Sequence, residues 1–123
     1  MRFEVNLSRA EASAREARDL IDQEIGDRMP AVSFFDLLTI VNELVSNAAR
    51  FGEGEILVCV DLGSDGAVSG AVENIGSAAV EPSSWSGGTE GHGLGLRIVD
   101  ALADRWWVER NGTTRVAFTL EAD

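Results

Sequence analysis

Apolar residues recur along the chain at two different periods, and the switches between them outline the elements. Phe3, Val5 and Leu7 alternate with polar neighbours over residues 2–7, the period-two pattern of a strand with one buried face. The period then lengthens. Ala10, Ala14, Ala17, Leu20 and Ile21 recur at helical spacing behind a Ser8-x-x-Glu11 capping box, which predicts a helix over residues 8 to about 25 with Gly26 as its C-cap. A second helical run follows Pro30. Ser33 is its expected N-cap, and Asp36 falls in a first turn where the helix dipole favours a carboxylate. The run extends to about Arg50, and Gly52 ends it.

Residues 55–61 are almost continuously apolar, as in a strand covered on both faces. Gly63-Ser64-Asp65-Gly66 predicts a turn, with a return strand over 67–73. Residues 74–92 form a Gly- and Ser-rich connection that carries Trp85; structureless connections of that length are uncommon and often functional. A third helix is expected over about 94–103. A hairpin of strands 105–109 and 113–120 follows, around Asn111-Gly112, the strongest short hairpin signal. Trp106 and Trp107 would face opposite sides of that hairpin, one of them inward, and Cys59 reads as a small core residue. The order β-α-α-β-β-α-β-β predicts an α+β fold: a two-layer sandwich of three helices on one face of a mixed, mainly antiparallel sheet, in a single domain over 1–123.

Composition narrows the chemistry. One cysteine and one histidine leave no internal disulfide, no cysteine or zinc cluster and no Ser/His/Asp constellation to build. All of the ten basic residues are arginine, against 21 acidic ones, for a net charge of −11. Such a surface repels nucleic acid and anionic membranes, so neither is an expected partner. The missing lysine excludes a P-loop. Short apolar runs and an N-terminus without a signal-peptide pattern point to a cytoplasmic protein.

Two segments carry candidate chemistry. In the second helix Glu43, Asn47 and Arg50 stand at i, i+4 and i+7, off the apolar stripe of Leu37, Val41, Leu44, Val45 and Ala48. Polar helix faces are usually solvent faces. Yet a carboxylate and an amide oxygen one turn apart can also hold a hydrated Mg²⁺, which takes few protein ligands and keeps its waters. The other segment is Gly91-His92-Gly93-Leu94-Gly95, opening into a helix. Closely spaced glycines let backbone amides turn toward an anion, and the helix N-terminus adds its dipole. It lacks the spacing and preceding strand of the dinucleotide fingerprint.

Together these segments resemble one family. Glu43-Leu44-Val45-Ser46-Asn47-Ala48-Ala49-Arg50-Phe51-Gly52 is similar to the N-box of the GHKL ATPases (gyrase, Hsp90, histidine kinase, MutL). It stands nearest to the E-L-V-x-N-A-x-x-H-G pattern of the anti-sigma-factor serine/threonine kinase branch. The Gly91–Gly95 segment resembles that branch's G2 box, and Gly112-Thr113-Thr114 its terminal G-T-x box. The resemblance implies the Bergerat ATP-binding fold and a regulatory protein. Such a protein binds Mg-ATP and a sigma factor and phosphorylates an anti-anti-sigma (STAS-type) antagonist, with a homodimer a common state of the branch. Residue by residue it implies Glu43 as general base and Asn47 as Mg²⁺ ligand. Asn47, Arg50, Asn74, Gly76, Gly91, His92, Gly93, Leu94, Gly95 and Thr113 would line the nucleotide, with Thr113 supporting a water at the adenine edge.

Two positions depart from the pattern. The adenine-reading stretch D-x-G-x-G is Asn74-Ile75-Gly76-Ser77-Ala78 here, and Phe51 replaces the branch's His. An amide at 74 can still pair with adenine, so altered rather than abolished adenine binding is expected. The alternatives are a non-catalytic, pseudokinase binding module of the same fold and the detached ATP-binding domain of a two-component sensor kinase.

Overall fold

The computed structural model describes residues 1–7, 13–51, 55–75, 92–110 and 113–121. Strand β1 (Arg2–Leu7) matches its alternating pattern, with Leu7 buried and Phe3 and Val5 packed against the core. Helix α1 (Ser13–Ile25) buries Ala17, Ile21 and Ile25; the expected Ser8–Glu11 capping box lies outside the described residues. Gly26 does not cap this helix in a left-handed turn. A short 3₁₀ turn, Gly26–Arg28, carries the chain on instead.

Helix α2 (Ala31–Phe51) starts immediately after Pro30, two residues ahead of the expected cap at Ser33. The Pro30 carbonyl accepts the Phe34 N–H at 2.9 Å, the first helical bond, so Pro30 itself stands at the cap position and Ser33 lies inside the first turn. Leu37, Ile40, Val41, Leu44, Val45 and Ala48 form its buried stripe. Pairing of β2 (Glu55–Leu62) and β3 (Val68–Ile75) surrounds a turn in which Gly66 adopts φ 89°, a conformation that favours glycine. Helix α3 (His92–Leu102) precedes the hairpin of β4 (Arg105–Arg110) and β5 (Thr114–Leu120); the Asn111-Gly112 turn lies outside the described residues.

The five strands run in the order β1-β2-β3-β5-β4, and each of the pairings is antiparallel, so the sheet is not mixed among the described residues. Leu7, Ile56, Val58, Val60, Val68, Val72, Val116, Phe118 and Leu120 face the three helices and fill the core with Leu96 and Val99 of α3. The other face of the sheet is uncovered by any described helix. Cys59 sits there, buried among neighbouring strands rather than in the core. The two tryptophans divide as expected: Trp106 packs on the core and donates Nε1–H to Asp100 Oδ1 of α3 at 2.8 Å, whereas Trp107 is exposed.

Candidate nucleotide site

Antiparallel register gathers the candidate residues at one end of the sheet. Asn74, next to last on β3, pairs with Ile56 near the start of β2 and with Thr114 at the start of β5. The last turn of α2 is tied to this end, because residues 52–54 alone separate Phe51 from Glu55. At the opposite end the Asp104 N–H donates to the Thr119 carbonyl, which anchors the chain leaving α3. Eleven residues of helix place the first turn of α3 about 16 Å along its axis from that anchor.

On α2, Asn47 is rotated about 40° from Glu43 around the helix axis. Glu43 is half-buried, and Asn47 is only 6% exposed at the border of the apolar stripe. Arg50 lies on the last turn of the same helix. Asn74 extends the β3 ladder rather than opening the following loop, and its parity with Val68 and Val72 turns it toward the helices. It is completely buried. Among the described residues, neither Asn74 Oδ1 nor Nδ2 has a hydrogen-bond partner, and Asn47 Nδ2 has none. Nearly all buried polar groups in folded proteins are paired, because an unpaired one costs roughly 1–3 kcal/mol. The three atoms without partners among the described residues, Asn74 Oδ1 and Nδ2 and Asn47 Nδ2, are groups that a polar ligand or water would satisfy.

The glycine segment takes a different form from the loop expected of it. His92, Gly93, Leu94 and Gly95 are the first turn of α3, and their four N–H groups are those that a helix cannot satisfy internally. In that position the amides point along a helix axis with its dipole behind them, an arrangement that favours an anion. Glycine at 93 and 95 leaves the backbone open to close approach. Gly76 and Gly91, together with Trp85 and Ala78, lie outside the described residues.

Thr113 and Asn74 turn to opposite faces of the sheet. The Thr113 hydroxyl donates to Glu73 Oε2 on the face of the sheet away from the helices. The neighbour Thr114 is the one completely buried beside Asn74, on the helix side, where it makes an interaction of its own. Sequence reasoning passed over Thr114, although a signal was present: it shares parity with Val116, Phe118 and Leu120, which makes it a polar residue in an inward-facing row. No group of three or more His, Cys, Asp or Glu side chains able to hold a metal occurs among the described residues. A cation here would depend on Asn47 and on oxygens brought by its ligand.

The family model of the histidine kinase-, DNA gyrase B- and HSP90-like ATPases matches residues 35–123, a span that includes all of these positions. No curated protein matches the sequence. Among solved structures the fold is similar to that of the RsbU and RsbW domains of Rv1364c from Mycobacterium tuberculosis, with a TM-score of 0.74 at 20% identity. That match covers 97% of this chain and 32% of the other, so this chain spans about a third of the protein it resembles. Sequence motif, sheet order and orphaned amides agree, and the chain belongs to the histidine kinase-, DNA gyrase B- and HSP90-like ATPase family.

Proposed function

We propose that the protein is an ATP-dependent regulator of the anti-sigma type, which binds Mg-ATP and a sigma factor and phosphorylates a serine or threonine of an anti-anti-sigma antagonist. The polar atoms without partners among the described residues, both amide atoms of buried Asn74 and Nδ2 of buried Asn47, carry the reading, because Asn74 stands at the end of the sheet to which the last turn of α2 is tied. The residues fit the nucleotide. Asn47 would ligate Mg²⁺ through its amide oxygen, the N–H groups of residues 92–95 would hold phosphate oxygens, and Asn74 with Thr114 would meet the base. Bound Mg-ATP would supply the transferable phosphoryl group. Glu43 is half-buried one turn from Asn47, placed to accept the proton of an attacking hydroxyl. Since phosphoryl transfer depends mainly on positioning and charge stabilisation, this sparse set suffices.

A sigma factor and a STAS-type antagonist are the partners that the resemblance supports, and the RsbW domain in the similar structure agrees with that choice. No helix among the described residues is long and apolar enough to cross a membrane. A second reading, a non-catalytic binding module, is favoured by the amide at position 74 where the family pattern has a carboxylate.

Calorimetry with Mg-ATP, followed by labelled-phosphate transfer to candidate antagonists, separates the two readings. Asn47→Ala is expected to weaken Mg-ATP binding at least tenfold, and Glu43→Ala to spare binding while abolishing transfer. Absence of binding at millimolar nucleotide would overturn the ATP reading. Transfer that survives Glu43→Ala would remove Glu43 from its role as base.

A further inference from the structure

We infer that the base pocket accepts 6-oxopurine nucleotides as well as adenine nucleotides, with Asn74 reading either edge by a half-turn of its amide. The inference rests on the nucleotide-site reading above and concerns which base that site takes.

The observation is the double vacancy in hydrogen bonding at a single side chain. Asn74 offers one acceptor, Oδ1, and one donor group, Nδ2, and both are buried without a partner among the described residues. Its backbone is held in the ladder between Ile56 and Thr114, so the side chain has a fixed origin, and its terminal torsion sets which amide atom faces which way. A base presented to it must satisfy both atoms to relieve both penalties.

Adenine does so in one orientation. Its 6-amino group donates to Oδ1 while N1 accepts from Nδ2, the same donor–acceptor pattern that asparagine uses on the N6/N7 edge of adenine in DNA. A 6-oxopurine does so in the other orientation. Its O6 accepts from Nδ2 while N1–H donates to Oδ1. The two orientations differ by 180° about a side-chain torsion that is roughly two-fold, because the oxygen and nitrogen of an amide are nearly the same size. A carboxylate, the residue of the family pattern, has only acceptors. It pairs with a 6-amino group and sets an oxygen against O6. The exchange of carboxylate for amide at 74 therefore removes the element that rejects a 6-oxo group, and rejection is what specificity requires.

Inosine triphosphate is the deciding probe, because hypoxanthine has the outline of adenine and differs at the 6-position and N1. Titration calorimetry of the unmodified protein is expected to give Mg-ITP a dissociation constant within about tenfold of that for Mg-ATP. In ¹⁵N-labelled protein, both nucleotides should shift the Asn74 side-chain NH₂ resonances, since Nδ2 donates in both orientations. Asn74→Leu, which removes donor and acceptor together, should weaken ATP and ITP alike by more than about tenfold.

Mg-ATP binding accompanied by ITP binding more than about tenfold weaker overturns the inference and leaves the nucleotide site standing. Unmoved Asn74 resonances in the ITP complex, or ITP affinity unchanged in Asn74→Leu, overturn it as well. If neither nucleotide binds, the site reading itself falls and takes the inference with it. The wild-type titrations and spectra decide the question even if the variant does not fold.

Discussion

Replacing Asn74 by leucine should make the nucleotide-free protein more stable, contrary to the usual effect of changing a completely buried residue. Leucine keeps the branch at the γ position and removes the two polar atoms that lack partners among the described residues. Each such group costs roughly 1–3 kcal/mol in desolvation that folding does not recover. Leucine's extra bulk in a packed layer takes some of this back, at about 1 kcal/mol or more. The expected net gain is therefore about 1–2 kcal/mol. In urea, with a slope of about 1–3 kcal/mol/M for a small domain, the midpoint should rise by about 0.3–2 M. Mg-ATP should reverse the order. At a hundred times its dissociation constant a ligand stabilises the parent by about 2.7 kcal/mol, whereas a variant that cannot read the base gains much less. Paired urea titrations of both proteins, stripped of nucleotide and then saturated, supply the comparison. A variant less stable than its parent without nucleotide would show that the Asn74 amide is satisfied in the free protein, and the identification of the site from orphaned polar atoms would fail.

Two further predictions address the frame around the site. A Cβ at Gly70 would stand 2.5 Å from Phe118 Cζ, 2.8 Å from Cε1 and 3.1 Å from the Cys59 carbonyl oxygen. Phe118 is completely buried, so Gly70→Ala should cost about 1–3 kcal/mol and Phe118→Leu in the same chain should return part of it; an unchanged urea midpoint for Gly70→Ala would contradict this packing. Burial, and after it the Glu4 carboxylate, raises the Cys59 thiol above its ordinary value. Iodoacetamide at pH 8 should modify Cys59 at least tenfold more slowly in the folded protein than in urea. Because the unfolded chain loses this proton first, Cys59 should make stability fall as pH rises past about 8.5, a slope that Cys59→Ala should lack.

The legible parts of the fold are those where periodicity and burial coincide. Strand β1 and the apolar stripe of α2 follow from the positions of Phe3, Val5 and Leu7 and of Leu37, Val41, Leu44 and Ala48, because a single buried face writes its period into the residues. The misplacements share a different cause: a local preference overruled by packing. Ser33 is a better cap than Pro30 by propensity, yet the chain turns into the helix where Phe34 can bond to the Pro30 carbonyl. Gly93 and Gly95 argue against a helix taken singly, whereas Leu96 and Val99 bury their side chains in the core and the helix begins ahead of them. Asn74 looks like the first residue of a loop because polarity at a strand end reads as exposure. Complete burial of a polar residue is a tertiary fact, and no neighbouring residue announces it. Thr113 and Thr114 stand one residue apart, and in a strand one residue is the difference between the two faces.

Charge explains why this end of the sheet is built mainly from neutral groups. A chain of net charge −11 has no long-range attraction to offer a polyphosphate. At physiological ionic strength, however, screening acts over about 8 Å, so contact interactions outweigh the distant carboxylates. The described groups suited to such contact are dipoles: the amides of Asn47 and Asn74, the Thr114 hydroxyl and the four N–H groups of the first turn of α3, which have no partner within the helix. A carboxylate at position 74 would be completely buried, and burying an ion that has no close counter-charge costs several kcal/mol, more than the amide costs. Asparagine lowers that penalty and gives up the acceptor-only edge that a carboxylate would present to the base. Glu43 keeps a carboxylate in a different setting, half-buried on α2, as its proposed role of accepting a proton would require. On the proposed function, the departure at 74 and the match at 43 thus follow from one consideration: in an acidic protein that is to hold an anion, a negative charge is retained where the chemistry would consume it and replaced by a dipole where recognition alone is needed.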